Sequence, residues 1–345
     1  MNTVIIAAGG TGGHVFPAEQ IALDFKNKGW TPIWLGKNNS LESQVCNKLK
    51  MRMIHIHVCA LRGVKNRVYP ILLLIQAIMK LLFLFTLKRP KAIILMGGYV
   101  SLPAGIVASI LRIPLFIHEQ NSIMGGANKL LYPMVKKGFC AYPDLAEKMN
   151  NLICHGNPIR FTHPVRSSDR KKRCHLLIIG GSQGAVQLNE LMLSLYRLKS
   201  SHKFKIWHMT GIEHYQKLGS QCKDFSQIYR ISAFHHEMDE AYEWADIVIS
   251  RSGAMTLSEL AYFGKPAILL PYPHAADHHQ QSNAEYFIRH GAAQLCPENA
   301  TDLVKLINSM IRTKSIYNQY VENMKSLSSD NAGLKIVETI IPLVT

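Results

Sequence analysis

Acidic residues are scarce in this chain: 23 Asp plus Glu stand against 39 Lys plus Arg in 345 residues, a formal net charge of +16. The imbalance points to a polyanionic partner, whether nucleic acid, an anionic membrane surface or a phosphorylated substrate. Cysteine is present without order. The seven residues at 46, 59, 140, 154, 174, 222 and 296 form no CxxC pair, which argues against a disulfide framework and a zinc site and for reduced thiols in a cytoplasmic protein. A basic leader with a cleavage site is also missing: residues 1–8 run as an apolar strand straight into a glycine loop, so this end reads as fold and not as signal peptide. The chemistry is therefore expected to face the cytoplasm.

What is present is a repeat. Gly9-Gly10-Thr11-Gly12-Gly13 and Gly180-Gly181-Ser182-Gln183-Gly184 each follow a short apolar run and open a helical stretch. Neither loop has the GxGxxG or GxxxxGK[ST] spacing, which removes the main support for a nicotinamide or ATP site. Their glycines still allow close backbone approach to a ligand, and the helix start that follows favours an anion. A 345-residue chain that is 48% apolar exceeds the size at which one core keeps growing. Strand-like runs at 31–35, 53–58, 92–96, 115–118 and 152–155, then at 175–179, 204–209, 227–231, 246–250 and 267–271, alternate with helical patterns. That alternation predicts two similar α/β domains, each with a parallel sheet. We place the N-terminal domain at 1–160, a polar linker at 161–173, the C-terminal domain at 174–330 and a closing helix at 331–345 that packs on either one.

The most hydrophobic stretch is Ile71–Leu87. Its 17 residues reach only about 26 Å as a helix, short of a hydrocarbon core, and Lys80 interrupts them. Arg62, Lys65 and Arg67 precede it, and Lys88, Arg89 and Lys91 follow, so the flanks carry no orientation signal. The favoured reading is a crossover helix with one face on its sheet and the other, including Ile75 and Leu82, in an anionic membrane surface. A spanning helix and a helix buried on both sides are the alternatives.

Several positions at the ends of strand-like runs carry chemistry. His14, at the lip of the first loop, suits general-base work near neutrality, or equally a helix-capping or packing role. The turn Gly97-Gly98-Tyr99-Val100-Ser101 offers N–H groups to a diphosphate, or is simply a tight turn. His118-Glu119-Gln120-Asn121 brings polar groups to a strand end, where Glu119 reads as a base, an electrostatic stabiliser or a helix-end partner. Arg251 to Glu259 runs from a strand end into a helix whose start suits phosphate, and Glu259 suits ribose hydroxyls or is a surface carboxylate. Asp277-His278-His279 invites a metal reading, but the adjacent amides Gln280, Gln281 and Asn283 fit sugar hydroxyls better. Arg160 suits a diphosphate or is a solvated linker charge.

Taken together, Gly9 to Pro17, Gly97 to Ser101, His118 to Asn121, Gly156 to Arg160, Gly180 to Gly184, Arg251 to Glu259 and Asp277 to Asn283 closely resemble the bacterial peptidoglycan N-acetylglucosaminyltransferases, the MurG family, over nearly the whole chain. The resemblance implies a GT-B type fold, two Rossmann-like parallel-sheet domains facing across a deep cleft. It implies inverting transfer of N-acetylglucosamine from UDP-N-acetylglucosamine to the C4 hydroxyl of undecaprenyl-diphospho-muramoylpentapeptide. The enzyme would sit peripherally on the cytoplasmic face of the cell membrane, with no cofactor, no metal and no nucleic acid, and with cell-wall synthesis proteins as candidate partners. Carried over position by position, Ser182 and Arg160 would contact the donor diphosphate, Ala254, Met255, Thr256, Leu257 and Ser258 would line the nucleotide site, and Glu259 would hold the ribose. Gln280 and Gln281 would bind the donor sugar, His235 would meet the uracil through its backbone, and Thr11, Gly12, Gly13 and Asn121 would complete the donor site. Gly13, Gly98 and Tyr99 would serve the acceptor diphosphate, with His14 and Glu119 as candidates for the base. The segment Ile123-Met124-Gly125-Gly126 is richer in glycine than the family's usual stretch. A UDP-N-acetylglucosamine 2-epimerase of the same fold, or a noncatalytic membrane-bound nucleotide-sugar sensor, are the rival readings.

Overall fold

The computed structural model describes residues 2–59, 68–161, 173–181, 184–222 and 224–345. The chain forms two compact units, one of Met1–Arg160 with Ser329–Thr345 and one of Phe161–Ser328. Most of the expected linker, 162–172, lies outside the described residues.

In the first unit seven strands, β1 (Thr3–Ala7), β2 (Thr31–Gly36), β3 (Met53–His55), β4 (Ala92–Leu95), β5 (Leu115–Glu119), β6 (Lys137–Cys140) and β7 (Leu152–Cys154), pair in the order β3-β2-β1-β4-β5-β6-β7. All the pairings are parallel. The helices are α1 (Gly12–Asn27), α2 (Leu41–Lys48), α3 (Val68–Leu87), α4 (Ser101–Ile110), α5 (Gly126–Leu131) and α6 (Pro143–Lys148). From β1 the chain builds toward one edge and from β4 toward the other. The gap between these neighbours is the point in an open parallel sheet where ligands bind, beyond the strand carboxyl ends.

The second unit repeats the scheme with β8 (Cys174–Ile179), β9 (Phe204–Met209), β10 (Ile228–Ser232), β11 (Ile247–Ser250), β12 (Ala267–Leu269) and β13 (Ala293–Leu295), ordered β10-β9-β8-β11-β12-β13. Its helices are α7 (Val186–Tyr196), α8 (Tyr215–Gln221), α9 (Met238–Trp244), α10 (Ala254–Phe263), α11 (His279–Arg289), α12 (Ala300–Met310) and α13 (Lys314–Ser326). The reversal here falls between β8 and β11. Strands β6 and β13 were not expected: Lys137-Gly138-Phe139-Cys140 and Ala293-Gln294-Leu295 are too short or too polar to stand out as apolar runs.

Alternation along β1 divides the first unit's core into two layers. Ile5 and Ala7 join one layer with Leu95, Ile117 and the inner face of α3, while Val4 and Ile6 join the other with Val15, Ala18, Ile21 and Phe25 of α1. The closing helix α14 (Ala332–Val344) completes the second of these layers through Ile336, Val337 and Ile340, all fully buried. Gly333 is needed there because a Cβ would collide with the Asp24 carboxylate. At the surface, Lys28 Nζ meets Glu338 at 2.7 Å, a contact of little energetic weight.

Helix α3 starts three residues earlier than its apolar run suggested, and at 20 residues spans about 30 Å, so length does not argue against a membrane span as expected. Packing does: Ala77, Leu81 and Phe85 are buried in the core against the sheet. Leu82 also leans on that core and is only partly exposed, which corrects its expected membrane-facing position. The open face is Leu72, Ile75, Met79 and Phe83, spaced at three and four residues as one helical stripe demands.

Because α14 fills the core of the first unit, Ile336→Ala is expected to destabilise that unit by about 2–5 kcal/mol. A lowered urea midpoint in equilibrium unfolding checks this, and an unchanged midpoint would show that the tail is not part of the core.

Candidate functional site

The first unit's switch point is formed by the loops after β1 and β4. Helix α1 opens at Gly12 behind an extended Thr11 whose side chain makes no capping bond, leaving the first-turn N–H groups of Gly12 and Gly13 as natural anion ligands. An aromatic ring explains the second glycine pair's first member: a Cβ on Gly12 would lie 2.7 Å from the Phe16 ring. Arg160 is the last residue of this unit in its first segment, and its guanidinium stands 5.4 Å from the centroid of Phe16. The structure thus places Arg160 beside the first glycine loop.

Gly97 and Gly98 follow β4 with φ of +95° and +75°, a consecutive left-handed pair that only glycine adopts without strain. The turn is closed by the buried Ser101 hydroxyl, which donates to the Gly97 carbonyl at 2.8 Å and accepts from the Gly97 N–H at 3.1 Å. A Cβ on Gly97 would sit 3.0 Å from the His14 ring, so the turn and the histidine are packed together. Tyr99 projects from it, half exposed. His14 is half-buried, with Nδ1 2.9 Å from Gln120 Oε1.

Strand β5 delivers the remaining groups. His118 is completely buried, which lowers its pKa to about 4, and its Nε2 lies 3.0 Å from the Gly156 carbonyl oxygen. Glu119 is corrected from base candidate to loop anchor. It is 2% exposed and its two oxygens accept from the Asn121 N–H (3.1 Å), Asn121 Nδ2 (3.2 Å), the Gly125 N–H (3.0 Å) and Asn128 Nδ2 (2.9 Å). A carboxylate so enclosed is committed to holding residues 121–128 and has no approach for a substrate proton. The glycine-rich segment 123–126 is pinned by the same bonds, and Asn121 turns its amide toward Glu119.

In the second unit the loop after β8 contains Ser182, which lies outside the described residues. Its neighbour Gly184 has φ +85°, and a Cβ there would collide with the Thr210 carbonyl. After β11, Gly253 is extended and α10 begins at Ala254 without a side-chain cap, so the N–H groups of Ala254, Met255 and Thr256 resemble those of α1. Leu257 has a fully buried side chain and offers a ligand only backbone. Ser258 Oγ is turned back to the Ala254 carbonyl at 3.0 Å. Glu259 is buried and accepts from the Tyr242 hydroxyl at 2.7 Å, so it is a held carboxylate and not a surface one.

The loop before α11 is tied to the same helix start. The Ser252 hydroxyl donates to the Gln280 carbonyl at 2.7 Å, Asn283 Nδ2 donates to the Ser252 carbonyl at 3.2 Å, and Gln280 Oε1 accepts from the Tyr272 N–H at 2.9 Å. Gln281 is exposed and paired with Glu285 at 2.9 Å. Arg251 braces the loop from beneath through the carbonyls of Leu270 (3.0 Å) and Pro271 (3.1 Å). His235 stands apart from these residues in the chain, 3.0 Å from Glu240 and edge-on to Trp207 at 4.9 Å. The sequence reading named Glu259, Gln280 and the start of α10 but missed Tyr242, Ser252 and Arg251 as the groups that hold this region in place. Their one signal is position, since Ser252 and Arg251 sit at a strand end immediately before a glycine and a helix.

Residues 4–140 match the glycosyltransferase family 28 N-terminal domain, and residues 175–338 match the glycosyltransferase family 28 C-terminal domain. A protein of Pseudomonas fluorescens (strain SBW25) named UDP-N-acetylglucosamine–N-acetylmuramyl-(pentapeptide) pyrophosphoryl-undecaprenol N-acetylglucosamine transferase is 34% identical over 345 residues, covering 97% of each chain. The crystal structure of Acinetobacter baumannii MurG is similar with a TM-score of 0.81 at 26% identity, covering 99% of each chain. The UDP-GlcNAc 2-epimerase from Neisseria meningitidis, solved with UDP-GlcNAc bound, has a TM-score of 0.69 at 13% identity, covering 99% of this chain and 100% of that one. This last likeness is one of fold alone. With both glycine-loop units matched in sequence along their length, the chain belongs to glycosyltransferase family 28, as a GT-B enzyme of the MurG N-acetylglucosaminyltransferase family.

Proposed function

We propose that this enzyme moves N-acetylglucosamine from UDP-N-acetylglucosamine to the C4 hydroxyl of undecaprenyl-diphospho-muramoylpentapeptide, the lipid I to lipid II step of peptidoglycan synthesis. The observation that carries this reading is the end-to-end 34% identity to a transferase of that name. The epimerase alternative has only a fold in common with this chain.

Inverting transfer is a single displacement. The acceptor C4 oxygen bonds to C1 of the sugar as the C1–oxygen bond to the UDP diphosphate breaks, and the hydroxyl proton must go to a base. We assign that base to His14, since Glu119 is enclosed by donors. Gly13, Gly98 and Tyr99 are the groups we assign to the acceptor diphosphate. The departing diphosphate carries the charge that develops, and the uncapped start of α10 at Ala254, Met255 and Thr256 is suited to hold it; for Ser182 and Arg160 the diphosphate role rests on the family resemblance alone. Glu259, presented by Tyr242, takes the ribose hydroxyls, Gln280 and Gln281 the donor sugar, and the backbone at His235 the uracil. For Thr11, Gly12 and Asn121 a donor role rests on the family resemblance alone.

The same reading puts α3 on the cytoplasmic face of the membrane. Its window of high hydropathy is only 22% buried, and the stripe of Leu72, Ile75, Met79 and Phe83 is far too apolar to be left against water without reason. Arg89 Nη2 bonds the Arg112 carbonyl at 2.9 Å and Ser109 Oγ lies 3.1 Å from Met134 Sδ, which links the end of α3 to exposed Ile110 and Met134. Lys88, Arg89 and Lys91 supply the cations that anionic headgroups attract. Of the basic residues ahead of the helix, Arg62, Lys65 and Arg67 lie outside the described residues.

Purified protein given labelled UDP-N-acetylglucosamine and a lipid-linked muramoyl-peptide should form the disaccharide; epimerised donor alone would overturn the assignment. His14→Ala is expected to lower kcat by roughly 10²–10⁴-fold, the usual worth of a general base, with an unchanged melting temperature. Met79→Glu with Phe83→Glu should weaken sedimentation with anionic vesicles while leaving turnover of a water-soluble acceptor analogue intact, and undiminished vesicle binding would remove α3 from the membrane.

A further inference from the structure

Behind His14 lies a chain of hydrogen bonds whose polarity is fixed from its far end. The Gly156 carbonyl can only accept, so the His118 Nε2 that lies 3.0 Å from it carries the proton of that ring. Burial keeps His118 neutral near pH 7, its pKa lowered to about 4, so Nδ1 of the same ring is an acceptor. Gln120 Nε2 lies 3.0 Å from that Nδ1 and 3.1 Å from the His118 carbonyl oxygen. Two acceptors facing one end of the amide require its NH₂ group there, because the flipped amide would bring oxygen against both. The other end, Oε1, therefore points at His14 Nδ1, 2.9 Å away. The backbone is held too, since Asn157 Nδ2 donates to the Gln120 carbonyl at 3.1 Å.

We infer that Gln120 and His118 are positioning residues that hold neutral His14 in the tautomer with its proton on Nδ1 and its lone pair on Nε2. An acceptor-only oxygen opposite Nδ1 demands a donor in return. Among the described residues Nε2 of His14 has no protein partner, so the lone pair created there is left for the substrate. A neutral imidazole free in water favours the opposite tautomer, which has no basic nitrogen at Nε2; the relay reverses that preference before the substrate arrives. A hydrogen-bonding partner that selects the histidine tautomer is known to be worth large factors in rate when a histidine is the general base. The inference rests on His14 being the base, and it concerns residues that touch no reacting atom.

The tautomer can be read directly. Long-range proton–nitrogen spectra of the full-length protein carrying ¹⁵N-histidine, with the His14 signals identified by their loss in His14→Ala, should show a protonated Nδ1 and an unprotonated Nε2 in neutral His14. In Gln120→Met, which keeps length and removes the acceptor, the two tautomers should mix and kcat should fall by about tenfold or more, with KM for both substrates little changed. His118→Phe, which frees the amide to turn, should move both readouts in the same direction by less. A purely structural role would lower the melting temperature without moving the tautomer. Wild-type His14 protonated at Nε2 would overturn the relay even if neither variant folds, as would a Gln120→Met enzyme with wild-type kcat and tautomer. A fully active His14→Ala enzyme would instead sink the base assignment, a separate failure visible without the spectra.

Discussion

Four donors converge on one buried carboxylate, and much of the first unit's active edge hangs from that arrangement. Leaving Glu119 unpaired inside the protein would cost several kcal/mol, so the chain after β5 has to fold back until Asn121, Gly125 and Asn128 reach it. That fold-back fixes the end of β5, which in turn sets where Gln120 stands against α1. The loop is consequently rigid at a place where its glycines alone would have left it loose. A residue type usually scanned for as an acid or base thus serves here as the knot of a loop.

The two units solve the same problem with different fittings. Each has a parallel sheet whose order reverses between two neighbouring strands, and each puts a glycine turn and an uncapped helix start beyond that reversal. The second unit also buries a histidine on a strand: His208 is fully enclosed, with the Tyr196 hydroxyl 2.8 Å from Nδ1 and Asn189 Oδ1 3.0 Å from Nε2. Both of its ring nitrogens are occupied by core groups, so it ends in packing, whereas His118 hands its polarity on through Gln120 toward half-buried His14. Similar folds diverge in what their buried polar groups are connected to.

Much of this was legible in the sequence because the signals were local. Glycine pairs after apolar runs announced the turns, and the alternation of runs announced two α/β units. Strand β6 escaped because a place between β5 and β7 can be held by Lys137-Gly138-Phe139-Cys140 once neighbours supply the ladder, and β13 because an edge place beside β12 can be held by Ala293-Gln294-Leu295, whatever the intrinsic preference. The phase of α3 escaped for the opposite reason: apolar on nearly every side, it offers no periodicity from which to tell Leu82 from Met79. The pairing of His14 with Gln120, and of Gln120 with His118, was hidden by distance along the chain, since nothing local in residues 9–17 signals a partner in residues 118–121. For Glu119 the sequence left base, stabiliser and helix-end partner open, because the fold-back that encloses it is a tertiary event.

The return of α14 to the first unit has a consequence for how the molecule is made. Residues Phe161–Ser328 are one uninterrupted segment, while the first unit draws on both ends of the chain. On a ribosome the second unit therefore has its whole sequence available while the first still lacks Ile336, Val337 and Ile340, and a patch on α1 around Ala18, Ile21 and Phe25 stays uncovered until α14 has been made. Of the two units, the one that begins first is completed second, and α14 is what closes it.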